Sequence, residues 1–201
     1  MKALFLDALY TGKVELSPDT LSFLKKLKIT TVALYASVQF VHLLQNVKVQ
    51  LKDAGISWLT SPARRTHVEG QLLGCDNDEE SLNLPPEGLK QIEAFLYIGD
   101  GMFHPLALVF AQKEWSEKKP IICNDPISRS MKLVSGNDVS VIMKRYKSSL
   151  MKFLSAKSVG VIVTIKPGQQ QFRPSLTLEQ KYPDKNFYYF IDNVISFDQL
   201  E

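Results

Sequence analysis

The chain has 201 residues, 45% of them apolar and 22% charged, enough to bury a sizeable core as one large domain or two small ones. Its net charge of +3 comes from dispersed lysines and not from a basic stripe, which argues against direct nucleic-acid binding, and no apolar run approaches the ~20 residues of a membrane helix. The two cysteines, Cys75 and Cys123, are too few for a disulfide framework, and the Met1-Lys2 start carries no signal-peptide core, so a cytoplasmic setting is expected.

The first apolar run, Ala3 to Leu6, reads as a strand. Pro18 opens a helix through Leu27 with Ser17 as its cap, and Thr31 to Tyr35 forms the next strand. Phe40, Leu44, Val47 and Leu51 then recur at the spacing of one helix face, a helix that carries His42 in a structural role. A short strand near Ile56 to Leu59 follows. Arg64, Arg65 and His67 form either an anion contact or a solvated loop. Asp76 to Gly88 (DNDEESLNLPPEG), acidic and punctuated by prolines, reads as an excursion over the surface.

Further strands are predicted at Phe95 to Ile98 and Pro120 to Cys123. Val139, Ile142, Tyr146, Leu150 and Phe153 line one face of a helix, with Asn137 or Asp138 as N-cap. At Ala156-Lys157-Ser158 this charged helix hands over to a new strand, Val159 to Ile165, which places a boundary between two sheet units there; Phe187 to Ile191 is the last strand. The alternation predicts an α/β fold of βαβ units with a parallel sheet and right-handed crossovers.

Chemistry concentrates at Ala94 to Pro105, AFLYIGDGMFHP. A strand buried on both faces breaks there into Gly99-Asp100-Gly101, a turn whose backbone can approach a ligand closely, and then into His104, which takes either a functional or a capping role. IICNDP and VGVIVTIKPGQ end in the same style, and three such strand ends suggest one rim of a parallel sheet, where α/β folds bind ligands. Lys166, with Gly168 and Gln169, either holds a carboxylate or phosphate or forms a surface turn. Cys75 follows a glycine and precedes an acidic loop, which leaves a metal or cluster role beside that of an inert loop thiol, whereas Cys123 sits in an apolar run as a small buried filler.

Taken in order, GQLLGC at Gly70 to Cys75, FLYIGDGMFHP at Phe95 to Pro105, NDP at Asn124 to Pro126 and VGVIVTIKPGQ at Val159 to Gln169 resemble the diphthamide synthase family, the 2-(3-amino-3-carboxypropyl)histidine synthases, over most of the chain. The resemblance implies α/β domains around a central cleft, each giving one cysteine to a four-iron four-sulfur cluster. It also implies a non-classical radical reaction: S-adenosylmethionine is cleaved so that its 3-amino-3-carboxypropyl group passes to a histidine of translation elongation factor two.

Carried over, Cys75 ends the GQxLGC pattern and is the single cluster ligand of this chain, while Cys123 has no counterpart among the ligands. Residues 1–157 correspond to a middle synthase-type domain, with 1–10 as the last strand of a preceding one, and residues 158–201 to an incomplete third. Gly99, Asp100, Gly101, His104, Lys166, Gly168 and Gln169 would face the cleft and hold S-adenosylmethionine, Asp100 accepting from its ammonium and Lys166 receiving its carboxylate. The implied partners are elongation factor two and a second synthase chain, as a homodimer or a complement. Two other readings stand beside this one: a non-catalytic partner subunit or fragment, and an iron-free nucleotide-binding α/β module in which GDG and KPGQ hold phosphate.

Overall fold

The computed structural model describes residues 8–165 and 172–194, so the expected strand at Ala3 to Leu6 lies outside the described residues. These residues form two compact units that divide between Arg145 and Tyr146, inside one long helix.

The larger unit runs through α1 (Pro18–Lys26), β1 (Thr31–Ala36), a 3-10 turn at Val41–Leu43 leading into α2 (Leu44–Asp53), and β2 (Ser57–Leu59). After a second 3-10 turn at Glu79–Leu82 come α3 (Pro86–Gln91), β3 (Ala94–Ile98), α4 (Pro105–Ala111), β4 (Ile121–Asp125), β5 (Ser130–Val134) and the start of α5 (Gly136–Ser155). Its sheet has the order β2-β1-β3-β4-β5, parallel throughout except for the antiparallel β4–β5 pair. All five residues of β3 are buried, as a continuous apolar run requires when helices cover both faces. Phe95 and Tyr97 pack with Leu82, Leu108 and Val139 on one side, while Ala94, Leu96 and Ile98 pack with Leu24, Val47 and Leu51 on the other.

Local signals account for most of these elements. Ser17 Oγ accepts from Thr20 N–H at 3.1 Å, Asp19 stands in the first turn of α1, and Lys25 and Lys26 stand in its last, which suits both ends of the helix dipole. The cap of α5 is not Asn137 or Asp138 but Ser135. Its Oγ accepts from Asp138 N–H at 3.1 Å while the Asp138 carboxylate accepts from Ser135 N–H at 2.9 Å, a reciprocal capping box that puts Asp138 in the third helical position. His42 lies in the 3-10 turn ahead of α2 and is exposed, outside the helix proper, because the backbone tightens before Leu44.

Two further expectations are corrected. The stretch from Asp76 to Gly88 is no simple surface excursion: Asp76, Ser81, Leu82 and Leu84 are buried, and Leu82 and Leu84 join the core beside Phe95. Its acidic residues cap turns, since Asp78 accepts from both Ser81 N–H and Ser81 Oγ at 2.8 Å. Strand β5 is absent from the sequence reading because SMKLV shows no clean alternation. Its turn is built by Asp125, whose carboxylate accepts from Ile127 N–H at 2.8 Å and Ser128 N–H at 3.2 Å, and by Arg129 in the left-handed region at φ 54°.

The second unit comprises the remainder of α5 with β6 (Ser158–Thr164), α6 (Phe172–Ser175), α7 (Thr177–Lys181) and β7 (Asn186–Asp192). Strands β6 and β7 pair in parallel as a sheet of their own, so β6 is not part of the sheet that holds β3 and β4 and the expected single sheet with three such strand ends is corrected. Lys185, buried, donates from Nζ to Leu154 O and Ala156 O at 2.7 Å each, so its ammonium answers the negative end of α5. Phe153 meets the Tyr182 ring edge-to-face at 5.1 Å beside it. No helix among the described residues is long and apolar enough to cross a membrane.

Candidate functional site

Strands β1, β3 and β4 end side by side: Ala36 is in register with Ile98, and Ile98 with Asn124. Two segments lie at this edge. After β3, Gly99 N–H donates to Asn124 O at 3.0 Å and so is committed to the sheet; Asp100 is exposed, and Gly101 turns the chain through φ 65°. Beside β1, Ala36 N–H donates to Gly70 O at 2.7 Å and Leu72 N–H to Ala36 O at 2.9 Å, which lays the Gly70 to Cys75 segment along the same edge.

Cys75 is exposed at the tip of a tight turn. Asp76 closes that turn twice, its N–H donating to Leu73 O at 3.0 Å and its carboxylate accepting from Leu73 N–H at 3.1 Å. Asp76 is fully buried, and its other oxygen has no hydrogen-bond partner among the described residues. Gly74 lies under the Phe103 ring, so the two loops touch: a Cβ at 74 would sit 2.7 Å from Phe103 Cδ1 and 2.9 Å from Cζ, with Cε1 nearer still.

His104 occupies the N-cap position of α4, yet its side chain makes no capping bond. Its ring lies nearly parallel over Tyr97 at 6.4 Å and meets Phe103 edge-to-face at 5.4 Å. Burial holds the imidazole below its ordinary pKa, opposed by the Asp100 carboxylate, so the ring is neutral at pH 7. Burial likewise raises the Tyr97 phenol, with the Ser37 hydroxyl opposing it and Asp100 reinforcing it.

Along the same edge, Cys123 is buried and its thiol is pushed up to about 12 by that burial, against the pull of Lys132 directly across the β4–β5 ladder. Gly99, Gly101, Cys123, Asp125, Ser130 and Lys132 line a small recess there. Burial works to raise the Asp125 carboxyl, but the Ser128 hydroxyl, the N–H groups of Ile127 and Ser128 and the Lys132 ammonium outweigh it and leave the group below the usual range. Asn124 is wholly structural: its Oδ1 accepts from Ser17 N–H and Thr20 Oγ1, both at 2.8 Å, and its Nδ2 donates to Glu15 O at 3.0 Å. Arg64 pairs with Glu80 at 3.1 Å, and His67 stands exposed nearby. Lys166, Gly168 and Gln169 lie outside the described residues.

A family model described as "Putative diphthamide synthesis protein" matches residues 5–201. The chain belongs to this family. Over 148 residues it is 30% identical to the 2-(3-amino-3-carboxypropyl)histidine synthase of Pyrococcus horikoshii, an alignment covering 72% of this chain and 36% of that relative. Over 155 residues it is 27% identical to subunit 1 of the human enzyme of the same name, covering 75% of this chain and 32% of the relative. Among solved structures it is similar to Dph2 from Pyrococcus horikoshii with 4Fe-4S cluster, at a TM-score of 0.63 and 24% identity over 90% of this chain and 50% of that one. The chain thus spans about a third of the length of these curated relatives, and the α/β architecture is shared with the solved one.

In this member of the family the fit to a cluster is partial. Thiolates hold such clusters, and Cys75 offers an exposed cysteine; no group of three potential ligands comes together among the described residues. The sequence reading singled out Asp100, His104 and Cys75 but passed over Gly74, Phe103, Asp76 and Lys132. Gly74 and Phe103 stand inside the quoted motifs and carry no signal of their own, because only the tertiary fold brings them together. In sequence Asp76 is one acid among several in an acidic stretch, and Lys132 sits in SMKLV, a strand without clean alternation.

Proposed function

We propose that this chain works in diphthamide biosynthesis, in the transfer of a 3-amino-3-carboxypropyl group from S-adenosylmethionine to a histidine of elongation factor two, and that Cys75 contributes one thiolate to a four-iron four-sulfur cluster. The supporting observation is that the Gly70 to Cys75 segment, hydrogen-bonded to Ala36 at the end of β1, and the Gly99 to His104 turn that follows β3 lie where these two paired strands end side by side. A ligand thiolate and a substrate cradle need that proximity. The cluster, when bound, supplies the electron that breaks a sulfonium carbon–sulfur bond by radical chemistry.

The residues of this chain orient the substrate. Exposed Asp100 accepts from the amino-acid ammonium, and neutral His104 presents a hydrogen-bonding ring. Gly101 lets the backbone approach. Such orientation decides which carbon next to sulfur faces the electron donor. Residues 1–157 act in this reading as the middle domain and 158–201 as the start of a third, in a cytoplasmic enzyme whose remaining ligands come from elsewhere in a homodimer or from a complementary synthase chain. That the human relative is named as a subunit favours the complementary chain.

Anaerobic reconstitution with iron and sulfide, in the presence of a complementary synthase chain, tests the assignment. Cys75→Ala should lose most of its bound iron, and Cys123→Ala should keep it. Equal iron in wild type and Cys75→Ala removes the metal role.

A further inference from the structure

We infer that Phe103 is a positioning residue that fixes where Cys75 is presented, by seating its ring on Gly74. The functional meaning rests on the reading of Cys75 as a cluster ligand; the geometry does not. Phe103 is 72% exposed, so core burial does not account for its place in the Gly99 to His104 turn. Its ring covers Gly74 closely enough that any Cβ there would push it away.

The ring is also supported from behind. His104 meets it edge-to-face, and His104 in turn lies over Tyr97, which is fully buried in β3. A continuous aromatic run therefore leads from the sheet to the cysteine loop. The Leu73–Asp76 turn, closed by both the backbone and the carboxylate of buried Asp76, moves as one piece, so whatever fixes Gly74 fixes its neighbour Cys75. One aromatic side chain thus sets the offset between the thiol and the Asp100–Gly101 turn. A functional constellation tolerates only about half an ångström of error in such an offset.

Amide hydrogen exchange and iodoacetamide alkylation of the whole chain read this coupling without any metal. Cys123, buried and with a thiol pushed up to about 12, reports global unfolding as an internal control. In Phe103→Ala the amides of Leu73 and Asp76 should exchange about fivefold faster or more, and the Cys75 alkylation rate should change about twofold, while Cys123 stays silent. Phe103→Tyr should restore both. Gly74→Ala should alter the same observables, and the double variant Gly74→Ala/Phe103→Ala should go no further than Phe103→Ala alone, because both substitutions act through one contact.

Wild-type exchange and alkylation in Phe103→Ala overturn the inference, as do effects that multiply in the double variant. Iron uptake beside a complementary synthase chain separates the two readings. Faster exchange in Phe103→Ala with no iron bound by wild type upholds the positioning and removes the cluster assignment; reduced iron in Phe103→Ala upholds both.

Discussion

Replacing Asn124 with alanine should destabilise the larger unit severely without touching the exposed loops. The side chain is fully buried and makes three hydrogen bonds, to Ser17 N–H, Thr20 Oγ1 and Glu15 O, that join the approach to α1 to the end of β4. Thr20 keeps an alternative partner in Ser17 Oγ at 2.9 Å, but the buried Ser17 N–H and the Glu15 carbonyl lose theirs. An orphaned buried backbone group costs about 1–3 kcal/mol, so the total comes to roughly 3 kcal/mol. For a chain of this size that corresponds to a fall in Tm of about 9 °C. Urea titration followed by tryptophan fluorescence is the assay, since both tryptophans, Trp58 and Trp115, belong to this unit. A loss below about 1 kcal/mol at unchanged m-value would refute the reasoning and show that water replaces the side chain without penalty.

Gly70→Ala should cost about 1–3 kcal/mol, because φ is 84° and a Cβ would stand 2.9 Å from Thr60 Oγ1; a cost under ~0.5 kcal/mol in the same titration would contradict the left-handed geometry. For His104, whose pKa burial depresses, the unfolded chain binds the proton more readily than the folded one. Its contribution to stability is therefore complete above about pH 6.5 and declines as pH falls from there toward the folded pKa. His104→Gln should flatten that part of the Tm–pH profile, and a profile indifferent to the substitution would show that the ring is solvated in the folded state.

The sheet was legible wherever burial is two-sided. In Phe95 to Ile98 and Val32 to Tyr35 the apolar runs are unbroken, since helices cover both faces and leave no position for a polar residue. The α1 cap was legible for a different reason: Ser17-Pro18 carries its signal in the chain itself. Strand β5 was not, because an edge strand with exposed Lys132 and Leu133 lacks the alternation that burial of one face imposes. At the site, the GDG turn and the Cys75 loop could be named from their residues. Their adjacency could not, because it depends on the parallel pairing of β1 with β3 and on one ring meeting one glycine.

The bonds of Asn124 to Ser17 and Thr20 also constrain the order of folding during synthesis. Partners more than a hundred residues apart cannot meet until β4 has left the ribosome. At about 5–20 residues per second the approach to α1 waits some 5–20 s, with Val14, Leu16 and Leu24, all buried in the finished fold, still lacking Ile122 of β4, a member of their core cluster. Helix α1 is thus tied to β4 only late in the folding of its unit. Over that interval its apolar face is the natural point of contact for a chaperone.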